Sequence, residues 1–134
     1  MSVRFATAEE IAQWDSFILD QPDGGNVFSS KTYAEIKKRT GYVPLFVFVD
    51  KTPITILQKN AFPLGKLWYL PKGPNVVDTQ SLFNILDALG PFARRQRVFA
   101  IRIESELDQA FEPELTQSGL RKAKAIIPNP STII

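Results

Sequence analysis

From Tyr42 to Leu70 three apolar segments follow one another with only short turns between them. The first, Tyr42-Val43-Pro44-Leu45-Phe46-Val47-Phe48-Val49, is apolar on both faces, which predicts a central strand. Asp50-Lys51-Thr52-Pro53 predicts a hairpin turn into a partner strand over Ile54 to Phe62, and Pro63-Leu64-Gly65-Lys66 a second turn into Leu67 to Leu70. Three sequential strands joined in this way make an antiparallel meander. The third ends at Pro71-Lys72-Gly73-Pro74, where two prolines fix φ and remove two backbone donors. The chain must therefore leave the sheet after Leu70. Gly73 lets the backbone turn, or lets another molecule come close, and Lys72 puts a cation at the apex. Two readings stay open: a loop that holds an anion at the end of a buried strand, or a tight turn with a solvated lysine.

Helices are predicted on both sides of the meander. Thr7-Ala8-Glu9-Glu10 has the form of a capping box, and Ile11, Trp14 and Ile18, widened by Phe17, then fall at helical spacing. Ser29 or Ser30 predicts the cap of a second helix running to about Arg39, with Gly41 as its stop and Tyr33, Ile36 and Lys37 on one face. Beyond the proline loop, Thr79 predicts the cap of a long helix carrying Leu82, Phe83, Ile85, Leu86, Leu89 and Ala93, with a kink or break at Gly90-Pro91. Arg97 to Glu104 alternates, which predicts a half-buried strand with Phe99, Ile101 and Ile103 facing inward. A short helix over about Leu107 to Ser118 and a weaker strand over Leu120 to Ile127 follow. The tail ends on bare apolar residues, which predicts a strand that continues past Ile134. The order predicts one domain over residues 1–134, of α+β class, with a largely antiparallel sheet flanked by helices.

Composition excludes more chemistry than it suggests. The chain has no cysteine and no histidine. Disulfides, thiol nucleophiles, catalytic triads and imidazole metal sites are thereby removed, and no metal site is expected. Glycine patterns for dinucleotides, for a P-loop and for acetyl-CoA pyrophosphate are absent too. The net charge is only +2, but the cations cluster: Lys31, Lys37, Lys38 and Arg39; Arg94, Arg95, Arg97 and Arg102; Arg121, Lys122 and Lys124. Such clusters attract phosphates or are simply solvated surface. No apolar run reaches membrane-spanning length and the N-terminus has no signal-peptide core, which predicts a cytoplasmic protein. What survives is a set of phosphate-compatible parts: Lys37 on its helix, and Tyr69 with Lys72 at the proline loop. On residue type alone, Tyr69 reads first as core and Lys37 as surface.

These residues resemble the first half of the FemABX family, aminoacyl transferases that add amino acids from aminoacyl-tRNA to the stem peptide of a peptidoglycan precursor. Phe28-Ser29-Ser30-Lys31-Thr32-Tyr33-Ala34-Glu35-Ile36-Lys37-Lys38 is similar to the family's Gln-Ser-x-x-Trp-x-x-x-Lys helix. Leu67-Trp68-Tyr69-Leu70-Pro71-Lys72-Gly73-Pro74 is similar to Tyr-x-Pro-[Arg/Lys]-Gly-Pro, the most specific of the three segments. Ala125 to Ile134 resembles Gln-Pro-x-x-Thr. Three positions depart from the pattern: Tyr33 where Trp is usual, Ser29 where Gln is common, and Ile127 where Gln precedes Pro.

The resemblance implies an acyltransferase-like (GNAT-type) lobe, the first of two, with the second in a longer protein. It implies that Lys37 meets the diphosphate of the precursor, a UDP-muropeptide or lipid II, and that Tyr69, Lys72 and Gly73 line the same cleft. It implies aminoacyl-tRNA as co-substrate, no other cofactor, and a role in cell-wall bridge formation; it assigns no catalytic residue. An amine attacking a tRNA ester is helped mainly by positioning and desolvation, so a site without histidine suffices. Two alternatives remain beside it: a non-catalytic RNA-binding module using Arg94, Arg95 and Arg97, against which Phe92 and Phe99 read as core, and a stand-alone GNAT N-acyltransferase.

Overall fold

Period-two alternation in the meander decides which helix each residue meets. The computed structural model describes residues 1–22, 24–25, 27–71, 73–74, 76 and 78–103, and the backbone of 121–123 and 131–133. Strand β2 (Val43–Val49) pairs antiparallel with β3 (Thr52–Ala61), and β3 with β4 (Gly65–Leu70), so the meander forms as the sequence predicts. Thr52 and Pro53 belong to β3 rather than to the turn. On one face Val47, Val49, Ile54, Ile56, Trp68 and Leu70 form a core with helix α4 (Thr79–Arg95). On the other face Phe48 packs with Trp14 and Ile18, while Leu57 and Tyr69 pack with Ala34. Both faces of the sheet are covered. This explains the continuous apolar runs.

Among the described residues the sheet has the order β1-β2-β3-β4-β5-β7-β6, with β1 (Val3–Phe5), β5 (Val98–Ile103), β6 (Arg121–Ala123) and β7 (Ser131–Ile133). Its pairs are antiparallel except β4 with β5, which α4 connects as a parallel crossover. The α+β class with a mostly antiparallel sheet is therefore correct. Strand β1 was not anticipated. It is three residues long and pairs Val3 with Val49, Arg4 with Phe48 and Phe5 with Val47.

Several local expectations are corrected. The first helix is interrupted at Gln13, giving α1 (Ala8–Ala12) and α2 (Trp14–Leu19); the capping box at Thr7 and Glu10 is present. Helix α4 passes Pro91 without a break, because Pro91 lies on the exposed side, where water can take the carbonyl left without an N–H partner. Its cap is Asp78, whose carboxylate accepts from the Ser81 amide at 2.7 Å, and not Thr79. In β5 the alternation slips: Lys66 lies opposite Val98, but Leu67 lies opposite Ala100. Phe99 is the extra residue of that bulge and is 47% exposed, so it does not join the inward face. The short helix expected over Leu107 to Ser118 falls outside the described residues.

Candidate substrate-binding site

Helix α3 (Lys31–Lys37) is fixed to the sheet before it begins. The Ser30 hydroxyl caps it, accepting from the Tyr33 amide at 3.1 Å. The 3-10 turn Val27–Ser29 that precedes it is held from below. There Thr55 donates its hydroxyl to the Ser29 carbonyl at 2.6 Å and accepts from Trp14 Nε1 at 2.8 Å. Ala34 has no exposed surface, and its small side chain lets the helix lie close against Leu57 and Tyr69. Tyr33 and Lys37 flank this contact, whereas Ile36 points outward and is 55% exposed. The expected shared face of Tyr33, Ile36 and Lys37 thus holds only for its two ends. A 3-10 turn, Lys38–Thr40, follows, and Gly41 at φ 90° closes it, as the sequence predicts.

Beyond Gly41 the chain delivers Tyr42 beside the end of the helix. The Lys37 ammonium lies 5.6 Å from the Tyr33 ring centre and 6.0 Å from that of Tyr42. Lys59 approaches the same Tyr42 ring at 5.0 Å. The Tyr42 and Tyr69 rings are in turn 6.3 Å apart. Tyr69 is buried at the base of this group, 1% exposed. The ion pairs among the described residues are Arg4–Glu10 at 2.7 Å and Lys31–Glu35 at 3.9 Å, so neither Lys37 nor Lys59 is matched by a carboxylate there.

The proline loop meets the opposite end of α3. The Gly73 amide donates to the Leu70 carbonyl at 3.1 Å, and Pro71, Gly73 and Pro74 are buried. A side chain begun at Gly73 would sit 3.9 Å from Ser29 Oγ. The molecule's own turn into α3 is therefore what Gly73 lets come close. Three of the four residues singled out from the sequence, Lys37, Tyr69 and Gly73, lie along one helix on one face of the sheet. A seven-residue helix spans roughly 10 Å, which sets the distance between its Lys37 end and its Gly73 end. Lys72 lies outside the described residues. Sequence reasoning missed Lys59 and Tyr42. Alternation from Leu57 could have found Lys59, since positions two apart share a face.

A second feature lies on the other face. A groove of about 570 Å³ between α4 and β5 is lined by Phe83, Asp87, Arg94 and Phe99, among others, with Arg95 and Arg97 exposed nearby. Phe92 is buried as expected, with its ring 6.0 Å from that of Trp68. Among the described residues no cluster of acids, histidines or cysteines could hold a metal ion, and no helix is long and apolar enough to cross a membrane.

No protein-family model matches the sequence, and no curated protein matches it. Solved structures do. The crystal structure of FemX superposes with a TM-score of 0.69 at 21% identity over 91% of this chain, which spans only 32% of FemX. A probable acetyltransferase from Staphylococcus epidermidis ATCC 12228 superposes with a TM-score of 0.51 at 14% identity, covering 99% of this chain and 97% of its own. At such identities the likeness concerns architecture: the chain has the fold of a FemX-like, acetyltransferase-type lobe.

Proposed function

We propose that this chain is the precursor-binding lobe of an acyltransferase of the FemABX kind. In this reading the lobe holds the diphosphate of a UDP-muropeptide or of lipid II while an aminoacyl group passes from aminoacyl-tRNA to the stem peptide. The observation that carries the reading is the convergence of Lys37, Tyr42 and Tyr69 at one end of α3, with the Gly73 loop against the other. A diphosphate wants point charges that no carboxylate already neutralises, and Lys37 is such a charge among the described residues. The FemX-like fold supports the assignment. In such a protein the second lobe would complete the cleft and receive the tRNA.

The test is a titration of the 134-residue chain with UDP-N-acetylmuramoyl-pentapeptide, followed by amide shifts. Shifts should concentrate at Lys37, Tyr42 and Gly73. Shifts confined to the α4–β5 groove, or no binding at millimolar ligand, would remove the assignment.

The exposed Phe99 favours a second reading, an RNA-binding surface in the α4–β5 groove, since an aromatic ring in one groove with Arg94 can stack a base and meet its phosphate. Salt-dependent binding of tRNA that Phe99→Ala abolishes, without any binding of UDP-muropeptide, would establish this reading over the first.

A further inference from the structure

Lys59 is not part of any motif, yet the register of the sheet brings it to the same ring as Lys37. Leu57 lies opposite Tyr69 and Lys59 opposite Leu67, so Lys59 emerges two residues along on the α3 side. Gln58, between them, turns to the other face, where it accepts from Trp68 Nε1 at 3.0 Å. The two ammonium groups then stand 5.0 and 6.0 Å from the centre of one ring, that of Tyr42. Both cations are drawn to one aromatic ring, and neither is in an ion pair among the described residues. An anion with two charged groups can pair with both at once.

We propose that Lys37 and Lys59 form a paired-ammonium site for a diphosphate, with Tyr42 as the platform that sets their spacing. Lys59 would take one phosphate and Lys37 the other, which makes the site selective for a diphosphate over a single phosphate. This rests on the substrate reading above and adds a residue and a selectivity to it.

The experiment measures binding of inorganic pyrophosphate, orthophosphate and UDP-N-acetylmuramoyl-pentapeptide to the intact chain and to Lys37→Met, Lys59→Met and Lys51→Met. Lys51 is an exposed lysine in the β2–β3 turn and controls for overall charge. Pyrophosphate should bind the parent protein more tightly than orthophosphate. Lys37→Met and Lys59→Met should each weaken it about tenfold, the effect of one charge-assisted contact. Lys51→Met should leave binding unchanged, and Lys59→Arg should restore most of the affinity. A loss at Lys37 with none at Lys59 overturns the pair and leaves the substrate reading standing. Equal losses at Lys51 and Lys59 overturn it as well, since general charge would then suffice. If pyrophosphate fails to bind while the UDP-muropeptide binds, the paired site alone is wrong; if neither binds, both are.

Discussion

Trp14 Nε1 donates to Thr55 Oγ1 at 2.8 Å, joining the second helix to the middle of β3. The hydroxyl is used twice, because it also donates to the Ser29 carbonyl at 2.6 Å. One buried oxygen thus ties α2, the sheet and the turn into α3 together, and sets where α3 carries Lys37. Thr55→Val keeps the shape and removes the hydroxyl, leaving a buried indole N–H and a buried carbonyl without this partner. Each such group costs about 1–3 kcal/mol, so a total loss of roughly 2–6 kcal/mol is expected on chemical denaturation. A loss below about 0.5 kcal/mol, the range of neutral surface changes, would mean that the relay does not hold the fold.

Two glycines with positive φ should respond differently to alanine. Gly41 at φ +90° has nothing within 4 Å of the place an alanine methyl would take, so Gly41→Ala meets backbone strain alone, about 1–2 kcal/mol. Gly65 at φ +119° would place that methyl 2.6 Å from the Arg97 carbonyl oxygen, which also accepts from the Lys66 amide at 3.1 Å. Gly65→Ala should therefore cost more, roughly 3 kcal/mol or above, by adding a clash at the start of β4. Equal melting temperatures for the two variants would contradict this ordering.

The same region shows what could be read from the sequence and what could not. The meander was legible because its three apolar segments follow one another with only short turns between them, and the first is apolar on both faces. So was Gly41, whose role follows from one residue's local chemistry, and the cap of α3 was narrowed to Ser29 or Ser30, of which Ser30 caps it. Strand β1 was not legible, because three residues pair only once β2 exists to receive them. Nor was the outward turn of Phe99, since a bulge depends on how β5 lies against β4 and not on β5 alone. Of the candidate site, Lys37 and Tyr69 stood out as phosphate-compatible by residue type, and only a resemblance gave them a role. Lys59 needed the register of two strands, which no single segment contains.

Acid should release one clamp at the N-terminal edge. The Arg4 guanidinium donates to both Glu10 carboxylate oxygens, at 2.7 and 2.8 Å, and the Thr7 amide adds a third hydrogen bond at 2.9 Å. Arg4 first, then the Thr7 amide, lowers the Glu10 pKa from 4.5 to about 2. A lowered folded-state value means that the unfolded chain takes up a proton first as pH falls. The stabilisation by Glu10 is thus complete above about pH 4.5 and disappears as pH drops towards 2. The melting-temperature gap between the parent protein and Glu10→Gln should be widest at neutral pH and close by pH 2. A gap independent of pH would show that the carboxylate charge contributes nothing.

The ligand-binding variants should separate affinity from folding. Lys37 keeps its ammonium over two tyrosine rings, contacts worth about 0.5–1 kcal/mol at a partly exposed site. Lys37→Ala should therefore barely change the melting temperature. If Lys37 meets the diphosphate, the same change removes a charge-assisted hydrogen bond and weakens UDP-muropeptide binding by about 1–3 kcal/mol. Lys72→Ala should do likewise if the proline loop adds a further contact of the kind that its sequence suggests. A calorimetric titration of each variant decides the matter. Unchanged affinity in both removes these lysines from the site, whereas a loss at Lys37 alone would confine the anion to the Tyr42 end of α3.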